Sequence, residues 1–486
     1  MSIEGASSTR RIGRCGLSGG EQVRARGRAA QIPPKRWPGV GFERGNATTS
    51  AGRRVMTIAL ALFSTTVVTA GLGFVFWALA ARITTTEVVG RASAVISAMQ
   101  LIGTVGTLGF HILLTAELPR RDAADVKRLV VTSLGIVGGL TFAMAAGYAV
   151  VVRYATHTSD WLYATPIGVA VFGVGTAVTT VTVVLDGALV GIHQSGRQTS
   201  RNLVFALVKV TALPVAACAI GMSSQVIFSV WLLGNLVSLV FLGLRTKAPQ
   251  EWLKTVPSLR GFAPLWRTAA SGYHWINVAT HAPLLVMPIM VTAQLGAHAN
   301  AGFYAALLLV GVIWIIPYHL ATAMLTLDGG NAEQLNHGLS TALKLAGVVS
   351  AVAAIGAPVL ARPVLAIFGP GYEQARYCLI AFALCTFPTA IKSIYIPVRK
   401  AQGALGKAAL GVTLGAVLEI GAAEFGLRVG GVTGVGIAFL AATVLEAICF
   451  WPAIARSRKS FTTQVTVPGP DHRSQEQAIG LGNHGA

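Results

Sequence analysis

Beyond residue 55 the chain alternates between long apolar runs and short polar gaps. Twelve runs are long enough to span a bilayer, at about 57–81, 92–116, 129–152, 163–190, 203–221, 226–244, 268–294, 301–327, 342–367, 376–398, 407–427 and 432–454. A bilayer core requires roughly 20 residues of helix. These runs lack the alternation of a barrel strand, and lipid cannot satisfy open backbone groups, so the pattern predicts helices. The fold class expected is an all-α polytopic membrane protein with about twelve transmembrane helices.

The polar gaps give an orientation. With the N-terminus inside, the inner loops, their flanks and the C-terminal tail hold 19 Lys and Arg, and the outer loops hold 6: Arg82, Arg91, Arg153, Arg362, Arg376 and Arg428. Lys and Arg concentrate on the cytoplasmic side, so both termini are expected in the cytoplasm of a cell (inner or plasma) membrane protein. Residues 1–54 are rich in Gly, Arg, Ser and Pro without apolar period and read as a disordered basic tail; Met56 is an alternative start. The domains expected are a six-helix lobe over 55–244, a cytoplasmic connector at 245–267, a second six-helix lobe over 268–455 and a disordered tail at 456–486.

Six helices followed by six more suggest an internal repeat. A-R-I-T-T-T-E-V-V-G-R-A at 81–92 aligns with A-Q-L-G-A-H-A-N-A-G-F-Y at 293–304, a shift of 212 that sets Arg82 on Gln294 and Gly90 on Gly302. H-Q-S-G-R at 193–197 aligns with G-A-L-G-K at 403–407, a shift of 210 that sets Gly196 on Gly406 and Arg197 on Lys407. Two like-oriented halves imply a pseudo-two-fold axis along the membrane normal.

Composition supports the membrane reading. Charged residues are 12% and hydrophobic residues 53%, against about 25% charged in a soluble domain. The net charge of +20 is no nucleic-acid signature, because 11 of the 38 Lys and Arg lie in residues 1–54 and most others sit between apolar runs. Four of the five cysteines lie in apolar segments, with no spacing for zinc, so neither a structural disulfide nor a metal site is expected. There is no G-x-x-x-x-G-K-[ST], G-x-S-x-G or H-E-x-x-H, and no loop long enough for a catalytic domain. An enzyme is not expected, nor a cofactor.

The segment G-L-G-F-V-F-W-A-L-A-A-R-I-T-T-T-E-V-V-G-R-A at 71–92, continuing to the L-P-R exit at 118–120, resembles the first two helices of bacterial polysaccharide-biosynthesis flippases. A-G-F-Y at 301–304 and A-L-V-G-I-H-Q-S-G-R-Q-T-S-R-N at 188–202 are similar to the same family, and the resemblance covers about residues 57–455. That family belongs to the multidrug/oligosaccharidyl-lipid/polysaccharide (MATE-like) export superfamily. The resemblance implies two lobes around a central cavity, alternating access, and a polyprenyl-diphosphate-linked oligosaccharide as cargo. Glycosyltransferases or a polymerase of the same pathway would be partners. Two departures stand out. Residues 73–77, G-F-V-F-W, lack the basic–acidic pair of lipid II flippases, and helices 1 and 7 lack the cation-coupling carboxylate of many drug exporters. A drug or small-molecule exporter of the superfamily and a polytopic glycan polymerase or ligase remain the alternatives.

A diphosphate crossing hydrocarbon needs a wet, cationic cavity. Lys209 in helix 5 either snorkels to the inner interface or contacts phosphate. Lys392 in helix 10 either contacts phosphate or pairs with Glu419 or Glu424 of helix 11. His274, Asn277 and His281 share one face of helix 7 and either line the cavity or bond between helices. His111 is a further lining candidate, and Glu117 is expected to pair with Arg120 or Arg121. Arg82 and Arg91 either anchor the outer interface or receive diphosphate at exit. Trp77, Tyr273, Trp275, Tyr304, Trp314 and Tyr318 either stack on sugars or pack.

Overall fold

The computed structural model describes residues 68–156, 160–245, 271–327 and 332–466, all in the larger of two compact units, Ile58–Ala486. The expected basic tail and most of the connector lie outside the described residues, as do residues 467–486. No strand occurs among the described residues. The helices are α1 (Val68–Ile83), α2 (Thr86–Gly106), α3 (Phe110–Glu117), α4 (Ala123–Thr156), the single turn α5 (Trp161–Ala164), α6 (Pro166–Gly191), α7 (Ser195–Ile220), α8 (Ser224–Arg245), α9 (Ser271–Leu327), α10 (Ala332–Ala366), α11 (Arg376–Leu384), α12 (Thr386–Ala401) and α13 (Leu405–Thr466).

Eight of these are long and apolar enough to cross a membrane, or nine if the bent pair Tyr372–Leu384 and Thr386–Lys400 is one span. The expected count was twelve. Two causes account for most of the difference. First, α1 is shorter than a full span within the described residues. Second, α9 and α13 each run through a break. Gly426 and Gly434 of α13 are eight residues apart, which is about 12 Å along a straight helix. Yet a Cβ on Gly434 would lie 2.0 Å from Gly426 O. The chain therefore doubles back at Gly430 and Gly431, whose backbone is non-helical. In α9 the break is Gly296 (φ 85°). His281 and Gly311 lie 15 residues to either side of it and line one cavity, although about 45 Å would part them on a straight helix.

Two further expectations are corrected. The predicted span 92–116 begins at Thr86, capped by the Thr85 hydroxyl, and is interrupted at Leu108 (φ 47°) and Gly109 (φ 75°), where α3 begins. The last helix runs on to Thr466, into the segment expected as a disordered tail. At the α3 exit, Leu118–Arg120 forms a 3-10 turn with Pro119 in its first positions, where a missing N–H costs nothing.

The repeat is present in the backbone. His193 (φ 59°) and Gly403 (φ 68°) are the left-handed residues after α6 and α12, 210 residues apart. Around them Gln194 N donates to Leu189 O at 2.7 Å, and Ala404 N donates to Arg399 O at 2.9 Å. The second donor is again 210 residues after the first, as is its acceptor, so both halves end this helix with the same Schellman closure. The left-handed Gly221 and Gly431 keep the same offset.

The halves meet along a seam beside the α1–α2 turn. Gly90 of α2 lies against α9 so closely that a Cβ there would sit 1.7 Å from Ala297 O. Asn300 Nδ2 donates to Gly90 O at 2.8 Å and to Ser93 Oγ at 3.0 Å. Thr86 Oγ1 lies 2.7 Å from His298 Nδ1. Trp77 packs edge-on against Tyr304 at 4.9 Å. A continuous core from Phe76 to Phe439 runs beneath these contacts.

Candidate functional site

Away from the seam, the N-terminal half holds a cavity of about 340 Å³. Its wall is made by polar residues at helical spacing on four helices: Gln100, Thr104 and Thr107 of α2, Thr179, Thr180, Thr182 and Asp186 of α6, Arg201 and Asn202 of α7, and Asn235 of α8. His111 of α3 and Asn277 and His281 of α9 complete it. Polar side chains on otherwise apolar helices turn toward water or protein rather than lipid. Glycines allow the helices to approach closely. A Cβ on Gly187 would lie 2.3 Å from His111 O, and one on Gly103 would lie 2.7 Å from Thr180 Oγ1.

One rim is an ion pair. Arg201 grips Asp186 with both arms, Nε to Oδ1 at 2.9 Å and Nη2 to Oδ2 at 2.7 Å. Asn202 Nδ2 donates to Asp186 Oδ2 at 3.1 Å. This planar fork holds its geometry better than a lysine would. Deeper, Asn235 Nδ2 donates to Thr179 Oγ1 at 3.1 Å. His111 Nδ1 and Trp231 Nε1 are buried without a hydrogen-bond partner among the described residues.

Behind the cavity wall stands Lys209. It does not snorkel: it is 4% exposed. Its ammonium lies 3.8 Å from the Trp231 ring centroid, 4.3 Å from Phe205 and 5.1 Å from Phe76. Among the described residues no acid lies within ion-pair distance. The aromatic faces supply the negative potential that holds the charge in place. Phe205 and Trp231 belong to the cavity wall, so two of the rings that hold the ammonium also line the cavity.

The C-terminal half has its own cavity of about 320 Å³, lined by Thr280, His281, Trp314, Thr389, Lys392, Ser393, Glu419 and Phe439 among others. Lys392 Nζ lies 2.9 Å from Glu419 Oε1 and 3.1 Å from Glu446 Oε2. Of the two acids expected as its partner, Glu419 takes it. Glu424 instead accepts from Arg428 Nε and Gln294 Nε2, each at 2.7 Å. A lysine held by two carboxylates is not free to receive phosphate.

The helix 7 trio divides. Asn277 and His281 line the N-terminal cavity, and His281 lines both cavities. His274 is buried beside Trp275 and lines neither cavity. Arg82 is committed to the end of α10, with Nε donating to Ile367 O and Nη2 to Ala366 O, both at 2.7 Å. It closes a helix C-terminus rather than waiting for cargo. Arg91 pairs with Glu87 at 2.9 Å on an exposed helix face, and Glu117 pairs with Arg121 at 3.3 Å. Trp77 and Tyr304 pack on each other, Trp314 stacks on Phe439, and Tyr273 lies under Lys400. Tyr318 lies outside the described side chains. Sequence reasoning missed Asp186, Trp231, Asn235 and Glu446. An acid inside an apolar run is the same signal that marks Lys209 and Lys392, and it marks Asp186 and Glu446 equally.

No family model and no curated protein matches the chain. Solved structures do. A multidrug resistance MATE family transporter of the MOP superfamily, in an inward-facing conformation, superposes with a TM-score of 0.65 at 14% identity, over 83% of this chain and 96% of that one. A MATE transporter in a bent conformation gives 0.58 at 14% identity, over 84% and 97%. A MOP superfamily transporter from Pyrococcus furiosus, described as having a binding pocket of reversed polarity and a suggested different function, gives 0.56 at 14% identity, over 84% and 94%. At this identity the likeness is one of fold. The chain carries the fold of multi-pass membrane transporters.

Proposed function

We propose that this protein is an alternating-access transporter that moves a polyprenyl-diphosphate-linked saccharide from the cytoplasmic to the outer leaflet. The observation that carries the reading is the N-terminal cavity. Its amides, hydroxyls and imidazoles offer the hydrogen bonds a sugar requires. Its wall is backed by an ammonium with no acid within ion-pair distance among the described residues, which suits an anionic headgroup. The Lys and Arg distribution supports an orientation with the Gly90–Asn300 seam on the outer side. On that orientation the outer exit is sealed and the cavities belong to the inward-facing state, the conformation described for the MATE transporter with a TM-score of 0.65.

A second reading has its own support. The C-terminal cavity sets the carboxylate of Glu419 beside Trp314 and Phe439, a lining that suits a cationic amphipathic compound. Export of such compounds would make the N-terminal cavity secondary.

The deciding experiment measures polyprenyl-diphosphate oligosaccharide in cells depleted of the protein, with leaflet sidedness scored by an impermeant sugar-binding probe. Accumulation in the cytoplasmic leaflet with loss of finished polymer is the expected result. Unchanged lipid-linked sugar transfers the assignment to the drug exporter. Accumulation in the outer leaflet points to a polymerase or ligase step.

A further inference from the structure

Lys392 of α12 meets Glu419 and Glu446 from the two arms of α13. The carboxylates are 3% and 4% exposed. This is not a balanced pair. One ammonium faces two carboxylates, so full ionisation would leave a net negative charge inside a helical lobe whose outer face is apolar. An unneutralised charge in that setting is strongly unfavourable. Two carboxylates that share a site relieve it by keeping a proton.

Among the described residues, the surroundings do not supply the missing positive charge. The neighbouring titratable groups are the Cys385 thiol at the α11–α12 junction and His281 on α9, across the cavity, with its Nδ1 2.9 Å from Asn277 O. Among the described residues, the α10 side chains in the core cluster with Ile391 and Ile394 are Leu339, Ala342 and Leu343, which cannot ionise. Beyond the Lys392 ammonium 3.1 Å from its Oε2, the Glu446 carboxyl has no hydrogen-bond partner among the described residues. The site is nonetheless built for that carboxyl, because a Cβ on Gly415 would lie 2.2 Å from Glu446 Oε1. Any larger residue at 415 would displace it.

The repeat sharpens the point. At the shift of 210, Lys392 corresponds to Thr182 and Glu419 to Lys209, and Asn235 corresponds to the residue just before Glu446. The same place in the other half therefore holds one surplus positive charge, where this one holds one surplus negative charge.

We infer that Lys392, Glu419 and Glu446 form an intramembrane proton site whose carboxylate pair holds one exchangeable proton. The proton reaches the site through the cavity that Lys392 and Glu419 line, along the hydroxyls of Thr280, Thr389 and Ser393. The ammonium stands where a metal cation would have to stand, so the ligand is the proton.

The test is infrared difference spectroscopy on the full-length protein in lipid vesicles near neutral pH, reading the C=O stretch of a protonated carboxylic acid. Wild type should show the band, and the band should shift on transfer to D2O. Glu419→Gln and Glu446→Gln each leave one ammonium facing one carboxylate, so each should lose it while expressing at wild-type amounts. His281→Gln should keep it. A band that survives in both glutamine variants, or a flat difference between wild type and either variant, overturns the proposal. The readout needs no cargo, so a negative glycan assay leaves the proton site standing, and a flat spectrum leaves the flippase reading standing.

Discussion

Lys209 and Glu419 occupy equivalent positions in the two halves, each fourteen residues beyond the first residue of its helix. They carry opposite charge. Lys209 is caged by three aromatic rings. Glu419 shares Lys392 with a second carboxylate. Equivalent positions in the two halves thus serve two chemistries.

Lys209→Met should separate stability from transport. Replacing a lone buried charge by an apolar chain of similar length removes the cost of keeping that charge out of water. The melting temperature of the purified variant should hold or rise. Export of lipid-linked glycan should fall at least about tenfold, since one lost charged contact of roughly 1.4 kcal/mol already accounts for that factor. Unchanged export at normal protein amounts would remove Lys209 from the cargo path.

Lys392→Met should behave in the opposite way. It leaves two buried carboxylates without a cation, and breaking a buried ion pair from one side costs about 3–5 kcal/mol. Protein amount and melting temperature should both drop. Adding Glu419→Gln and Glu446→Gln to the same chain should restore both, measured by fluorescence-detected size exclusion after a heating series.

Gly90→Leu should hold the seam open, because even a Cβ would lie 1.7 Å from Ala297 O on the facing helix backbone. Backbone cannot move aside as a side-chain tip can, so the seam separates instead. A cysteine placed at Ser93 should then react with an impermeant thiol reagent from outside, where in the parent chain it is protected.

Thr86→Cys with His298→Cys should crosslink in a background with the native cysteines replaced. The parent side chains touch at 2.7 Å, and a disulfide across that seam would lock the halves. Export should stop on oxidation and return on reduction. A crosslink that forms without affecting export would show that the seam does not open during transport.

Much of the fold was legible because lipid makes apolar length decisive. The turn at Gly430 and Gly431 lay between two runs already separate in the sequence, and His193 and Gly403 lay inside a matched pair of motifs. The break at Leu108 and Gly109 was not legible, because both residues sit inside one apolar run and only packing against α6 chooses the left-handed backbone there. The site was less legible than the fold. Lys209 and Lys392 both read as single basic residues in apolar helices, and nothing local distinguishes an aromatic cage from a carboxylate clamp. Arg82 read as an interfacial anchor or exit ligand, yet its partners are carbonyls 284 and 285 residues away.

The sequence by itself determined that the chain is helical, membrane-spanning and built from two similar halves. Those properties follow from run length, backbone satisfaction in lipid and residue spacing, all of which act along the chain. Only the tertiary structure decided which charges meet. Glu446 joins Lys392 because α13 folds back at Gly431, and Lys209 stays without an acid among the described residues because Trp231 of α8 and Phe76 of α1 arrive from two other helices to cover it. Charge in a low-dielectric interior acts through space over a few ångströms, so its partner is set by the fold and not by its neighbours in sequence.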